Sequence, residues 1–113
     1  MKVYPGDIDA VVERFEQTSD VCAFGFGDPL YGEDVGVAVV LRTATPTALR
    51  ELLRWVRQHL AKHQLPRRWY LLNEIPRSSR GKVNRSAVAR HCETLVPLDL
   101  RELAADEPRD ADA

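Results

Sequence analysis

Hydrophobic side chains recur every three or four residues in three segments of the chain, residues 5–16, 43–60 and 84–95. This spacing is typical of α-helices that bury one face. The middle segment has the most regular stripe, and it begins with Thr45 and Pro46, which suit the N-cap and the first helical position. Its apolar stripe consists of Leu49, Leu52, Leu53, Val56 and Leu60.

Three other segments have the pattern of β-strands. Residues 19–34 predict a strand followed by a turn between Asp28 and Gly32. The valine-rich run at 35–41 is apolar throughout, as expected for a central strand covered on both faces. A third strand is predicted at 67–75, where the side chains alternate. The predicted fold class is α+β: a small three-stranded sheet packed with helices in one domain.

Charge and cysteine usage add to this picture. The folded domain is predicted to span residues 1–96, because residues 97–113 carry six acids against two arginines and read as an acidic, disordered tail. Cys22 and Cys92 lack metal-binding spacing and lie among apolar neighbours, so we expect buried, reduced thiols in a cytoplasmic protein. The apolar runs are too short for a transmembrane helix, so no membrane partner is expected.

The most basic stretch of the chain is IPRSSRGKVNR, residues 75–85. A solvated surface turn is the commonest meaning of such a segment. Here, however, Gly81 frees the backbone beside Lys82, and Pro76 anchors the entry. A lysine presents its ammonium as a mobile point charge, which suits a phosphate or carboxylate oxygen. Supporting charge at an interface is expected from Arg77, Arg80 and Arg85.

Other kinds of site find less support in the sequence. A phosphate-binding loop is rejected because its first glycine is missing and Val83 follows the lysine. The three histidines lack the spacing of metal ligands, and Ser78 and Ser79 have no recognisable histidine partner. Binding of single-stranded nucleic acid favours exposed aromatics among the arginines, whereas Trp69 and Tyr70 fall in a predicted strand. We therefore expect neither a metal site nor a nucleic-acid partner.

Several separated motifs resemble one known family. GDPLYGEDVGVAVVL, a helix, and then LPRRWYLLNEIPRSSRGKVNR occur in this order. They resemble the C-terminal lobe of the adenylate-forming superfamily, which includes acyl- and aryl-CoA synthetases, adenylation domains of nonribosomal peptide synthetases, and luciferases. The opening KVYPGDIDAVV is similar to the family's segment just after the hinge. The resemblance covers about residues 2–92 and is specific for the lobe, not for a substrate.

The resemblance implies an activity and a role for one lysine. Members of the superfamily activate a carboxylic acid with ATP, form an acyl-adenylate and release pyrophosphate. Most then transfer the acyl group to the thiol of coenzyme A or of a carrier-protein phosphopantetheine. Lys82 matches the lysine of the family motif P-x-x-x-x-G-K, with Pro76 and Gly81 as its frame. By this resemblance Lys82 is the catalytic residue, contacting carboxylate and phosphate oxygens during adenylation.

The sequence lacks the large N-terminal domain of that superfamily. We therefore expect a stand-alone or excised lobe that supplies Lys82 in trans to an N-terminal adenylation domain and is inactive alone. ATP and Mg²⁺ are expected on that partner domain, with coenzyme A or phosphopantetheine as the candidate thiol and no cofactor bound by this chain alone. An acyl or peptidyl carrier protein is a second candidate partner. The alternative is a non-catalytic interaction module that docks to a synthetase or a carrier protein.

Overall fold

The described part of the chain, which in this computed structural model is residues 3–28 and 32–105, forms four α-helices and a three-stranded sheet. In chain order the elements are α1 (Pro5–Glu13), β1 (Thr18–Asp28), β2 (Gly32–Leu41), α2 (Pro46–His59), a 3-10 turn (Lys62–Gln64), β3 (Arg68–Leu71), α3 (Arg85–Glu93) and α4 (Leu100–Ala105).

The sheet has β2 at its centre, as the valine-rich run predicts. β1 pairs with β2 in the antiparallel sense and β3 pairs with it in the parallel sense. Val37 and Val39 of β2 are fully buried on one face of the sheet and Ala38 is fully buried on the other, which confirms a strand covered on both faces. Asp28 lies opposite Gly32 at the end of the β1–β2 ladder. The three residues of the predicted turn between them lie outside the described residues.

One face of the sheet packs against α1, α2 and α4 and forms the larger apolar cluster, here called the α2 face. Helix α2 begins as predicted: the Thr45 hydroxyl accepts the Ala48 N–H at 3.1 Å, and Pro46 occupies the first turn. The stripe predicted for this helix supplies buried side chains, with Leu52 fully buried and Val56 nearly so. Burial of this stripe against the sheet is what holds the helix in place.

The opposite face, the α3 face, carries a smaller cluster beneath α3. Its buried members are Cys22, Phe24, Ala38, Tyr70, Ile75, Val88 and Cys92. Both cysteines are free thiols and buried, as predicted. Trp69 and Tyr70 are both buried but serve opposite faces, because successive side chains of a strand point to opposite sides of the sheet. Neither is available as an exposed stacking platform.

Several element boundaries differ from the predictions. β2 begins at Gly32 instead of residue 35, and α3 ends at Glu93 instead of residue 95. α1 ends at Glu13 instead of continuing to residue 16, although Phe15 still packs on the α2 face. β3 ends at Leu71 instead of residue 75. The last backbone hydrogen bond there runs from the Leu72 N–H to the Val39 carbonyl at 2.9 Å. Beyond it, Ile75 is buried as part of a loop, so its apolar character reflects packing and not strand pairing.

The structure also differs from the predicted disordered tail. α4 lies inside that segment, and Leu98, Leu100 and Leu103 pack on the α2 face. The Leu98 N–H donates to the Trp69 carbonyl at 2.8 Å, which covers the outer edge of β3. The three leucines are half-buried and dock this stretch on the α2 face, and the acidic composition around them concealed them in the sequence. Residues 106–113 of the predicted tail lie outside the described residues.

None of the helices in residues 3–28 and 32–105 has the length and apolar character needed to cross a membrane.

Candidate functional site

The basic segment forms an exposed loop between β3 and α3, anchored at both ends on the α3 face. Ile75 is buried before it, and Val83 packs against the same cluster after it. Pro76 is half-buried at the entry, and its role in framing Lys82 stays a prediction. Between these anchors, every residue from 77 to 82 is exposed. The loop is therefore tethered by apolar contacts at its ends and held by polar contacts between them.

Residues 78–82 close into a tight turn with Lys82 at its end, here called the lysine turn. The Ser78 N–H donates to the Lys82 carbonyl at 2.9 Å, and the Gly81 N–H donates to the Ser78 carbonyl at 2.8 Å. The Lys82 N–H in turn donates to the Ser78 hydroxyl oxygen at 3.2 Å. Gly81 has φ +79°, a conformation that glycine adopts without the steric cost of a side chain. The predicted need for glycine beside the lysine thus has a specific backbone cause.

The side chains of Lys82 and Arg80 extend from this turn into solvent. Within the residues that the structure describes, neither the ammonium nor the guanidinium makes a hydrogen bond or an ion pair. An ammonium held on an ordered backbone but free at its tip can neutralise an anion that another surface presents.

The two other arginines predicted as supporting charge are already paired inside the chain. Arg77 donates to the Asp20 carboxylate at 2.6 Å and to the Gly81 carbonyl at 3.2 Å. Arg85 donates to the Asp9 carboxylate at 2.6 Å. Their role as interface charge stays a prediction, but each also ties the loop or the start of α3 to another element.

Sequence reasoning assigned no role to Asp9 and Asp20, which complete these contacts. Asp9 also accepts the Ala23 N–H at 2.7 Å, while Arg85 donates to the Ala23 carbonyl at 2.8 Å. The Asp9–Arg85 pair therefore satisfies the backbone N–H and the carbonyl of Ala23, which face away from β2. A neighbouring strand would satisfy the same two groups. Asp9 and Arg85 are 76 residues apart along the chain, and Asp20 and Arg77 are 57 apart. No local spacing signal could have joined them.

Three other reactive side chains, those of His59, Cys22 and Cys92, pack against or within the folded domain. His59 stacks on Trp55 with ring centroids 3.8 Å apart. Burial raises the pKa of Cys92 to about 11, with Cys22 as a smaller contribution, and burial also raises the pKa of Cys22. Such thiols stay protonated at neutral pH and are poor nucleophiles. No group of three histidine, cysteine or acidic side chains in the described ranges could hold a metal ion.

A separate cavity of about 210 Å³ lies on the α2 face, on the other side of the sheet from the lysine turn. Apolar side chains from α2, β3 and α4 form most of its wall, and two arginines complete the lining. The lining residues are Arg50, Leu53, Val56, Arg57, Leu65, Pro66, Trp69, Leu100 and Leu103. It shares no side chain with the lysine turn.

Comparison with known proteins was made on both sequence and structure. The sequence profile of the AMP-binding enzyme C-terminal domain matches residues 7–82. An oxalate–CoA ligase of Arabidopsis thaliana is 31% identical over 90 residues, which are 80% of this chain and 18% of that protein. A mitochondrial malonate–CoA ligase of Homo sapiens is 37% identical over 73 residues, 65% of this chain and 13% of that protein. The chain thus spans less than a fifth of these relatives' length.

The fold of this chain is also similar to part of several solved structures. The amide bond synthetase McbA from Marinactinospora thermotolerans has a TM-score of 0.68 and 28% identity, covering 79% of this chain and 18% of McbA. ATP-bound MatB from Rhodopseudomonas palustris has a TM-score of 0.71 and 20% identity, covering 82% of this chain and 18% of MatB. At that identity the second likeness concerns the fold alone.

Proposed function

This chain belongs to the family of AMP-binding enzyme C-terminal domains, and on that premise we propose that it is the lysine-bearing lobe of an enzyme that activates a carboxylic acid as its acyl-adenylate. The observation that carries the proposal is Lys82. Its backbone is fixed in a tight turn, while its ammonium has no partner among the described residues. In this role the ammonium neutralises charge on the carboxylate and phosphate oxygens as the adenylate forms.

The expected size of the effect follows from the chemistry of charge stabilisation. A preorganised donor aimed at developing negative charge accelerates a reaction by about 10²- to 10³-fold. A lysine suits the task because its compact charge sits on a flexible stem and can follow the reacting oxygens as the carboxylate bonds to the α-phosphate of ATP and pyrophosphate leaves. The turn supplies the preorganisation, and the flexible side chain supplies the reach.

The second half of the active site lies, in this proposal, on a large N-terminal domain. That domain binds ATP, Mg²⁺ and the acid, either on a separate chain that this lobe serves in trans or in a parent protein from which the lobe derives. The length of the relatives supports such a domain, because this chain matches only 18% of the oxalate–CoA ligase. Without it the lobe has nothing to act on, so we expect the chain alone to be inactive.

The proposed product of a second step is a thioester. The matched relatives are named as CoA ligases, which favours coenzyme A over a carrier-protein phosphopantetheine as the acceptor. The free, buried thiols of Cys22 and Cys92 suit a reducing compartment such as the cytoplasm. We therefore propose that the enzyme is cytoplasmic.

A lobe exchange tests the proposal. The full chain replaces the C-terminal lobe of the Arabidopsis oxalate–CoA ligase, and oxalate-dependent exchange between ATP and pyrophosphate is measured. We expect exchange above that of the ligase without any lobe, and a loss of about 10²- to 10³-fold with Lys82→Ala. Lys62→Ala is the matched control, because Lys62 is also exposed but lies in the 3-10 turn after α2.

Two outcomes would reject the catalytic role. One is an exchanged enzyme no faster than the lobe-less ligase, and the other is equal rates for wild type and Lys82→Ala. The alternative function, a docking module for a synthetase or carrier protein, predicts partner capture that is indifferent to Lys82. Affinity purification with wild type and Lys82→Ala, followed by identification of the bound protein, separates docking from catalysis.

A further inference from the structure

The peptide unit that joins Gly81 to Lys82 is held from two sides. Its carbonyl oxygen, on Gly81, accepts a hydrogen bond from the Arg77 guanidinium at 3.2 Å. Its N–H, on Lys82, donates to the Ser78 hydroxyl oxygen at 3.2 Å. Since a peptide unit is planar, fixing both groups fixes the position of the Lys82 Cα. The bond from the Ser78 N–H to the Lys82 carbonyl at 2.9 Å restrains the remaining backbone rotation that sets the direction of the side chain.

Arg77 connects this peptide unit to the sheet. The same guanidinium donates to the Asp20 carboxylate of β1 at 2.6 Å. The other oxygen of that carboxylate accepts the Val21 N–H at 2.9 Å, so Asp20 is itself fixed to its strand. A continuous path of hydrogen bonds therefore runs from β1 through Asp20 and Arg77 to the lysine turn.

No apolar contact could replace this path within the turn. All five residues from 78 to 82 are exposed, and the nearest packed side chains are Ile75 and Val83. Without Arg77 the turn keeps its internal hydrogen bonds but loses its tie to β1, and it can then swing about its two ends. An exposed ion pair contributes little to overall stability. We therefore expect the Arg77–Asp20 pair to affect the position of the lysine turn and not the free energy of unfolding.

We propose that Arg77, held by Asp20, is a positioning residue that fixes the direction of Lys82. Two different nitrogens of one planar guanidinium bind the two acceptors, a geometry that a lysine at this position cannot reproduce. The inference rests on the proposed function for its consequence in catalysis. Its structural part, the order of the lysine turn, can be tested on the full chain alone.

The first test is amide hydrogen exchange, measured residue by residue by NMR on the full chain. In Arg77→Gln and in Asp20→Asn we expect the Gly81 and Lys82 amides to exchange about fivefold to tenfold faster, as for the loss of one hydrogen bond. The Leu52 amide reports on the core and should not change. Arg90→Gln is the control, because Arg90 is an exposed arginine on α3. Unchanged Gly81 and Lys82 exchange in Arg77→Gln would overturn the proposal.

The second test is a double-variant cycle in the lobe-exchanged ligase. Arg77→Gln should lower kcat for ATP–pyrophosphate exchange by about tenfold and leave the KM for ATP unchanged, because it misdirects a charge that acts in the transition state. In the Lys82→Ala background the same change should have no effect, since nothing is left to position. Arg77→Lys should not restore the rate.

The outcomes of the two proposals are distinct. If Lys82→Ala slows the reaction but Arg77→Gln does not, positioning is wrong and the proposed function stands. If Arg77→Gln slows the reaction equally with and without Lys82, the residue acts on the fold or the interface, and positioning is again wrong. If none of the variants slows the reaction, both proposals fail together.

Discussion

The two faces of the sheet perform different tasks with different forces. On the α2 face, α1, α2 and α4 bury aliphatic side chains such as Leu52 and Val56. On the α3 face a smaller cluster supports α3 and both ends of a loop whose middle is exposed and held by hydrogen bonds. Apolar burial therefore maintains the fold, and a polar network on the other side orients the lysine turn. A substitution in the apolar cluster of the α2 face should therefore leave the order of the lysine turn unchanged, and a substitution in the polar network should leave the stability of the fold unchanged.

The largest effect on stability is expected on the α2 face. Leu52 is fully buried, and Leu52→Ala removes its contacts and leaves a cavity. The free energy of unfolding should fall by about 2–5 kcal/mol, measured by urea denaturation. Lys62→Ala should leave it unchanged. A loss below about 1 kcal/mol for Leu52→Ala would mean that the α2 face does not carry the fold.

A smaller effect is expected where the α3 face is tightly packed. A Cβ at Gly36 would lie 2.8 Å from two ring atoms of Phe24, whereas a Cβ at Gly27 would meet nothing within 4 Å. Gly36→Ala should therefore lower the free energy of unfolding by about 1–3 kcal/mol. Gly27→Ala on the neighbouring strand is its matched control and should not destabilise the protein. Equal unfolding midpoints for the two variants would show that Phe24 moves aside at no cost.

A local effect is expected in the lysine turn. Gly81 has φ +79°, and an alanine there costs about 1–2 kcal/mol in strain. The turn can relieve that strain by opening, so Gly81→Ala should speed amide exchange at Lys82 while the urea midpoint changes little. Faster exchange at Leu52 as well would show that the turn and the core unfold together, against the separation of the two faces.

A further effect expected on the α3 face is a dependence of stability on alkaline pH. Burial raises the pKa of Cys92 from 9.0 to about 11. The unfolded chain therefore loses this proton at a lower pH than the folded protein does. The stability from this thiol is complete below pH 9.0 and is lost as pH rises towards 11. Between these two pH values the urea midpoint should fall less for Cys92→Ala than for wild type.

The sequence predicted the parts of the fold that short-range patterns encode. The stripe and cap of α2, the central β2 and the glycine beside Lys82 all follow from spacing within one element or one turn. The pairs of Arg77 with Asp20 and Arg85 with Asp9 join residues far apart in the chain, so only the folded topology brings them together. The leucines of α4 were missed for a different reason. A few apolar residues can dock on a core that already exists, whatever the average composition around them.

The most direct test of the account is the rate of oxalate-dependent ATP–pyrophosphate exchange by the lobe-exchanged ligase carrying Lys82→Ala, with the urea midpoint of the same variant in the isolated chain. The account predicts a rate lower by about 10²- to 10³-fold and an unchanged midpoint, because the exposed ammonium supports the reaction and not the fold. A rate equal to that of wild type, with the midpoint unchanged, would contradict it.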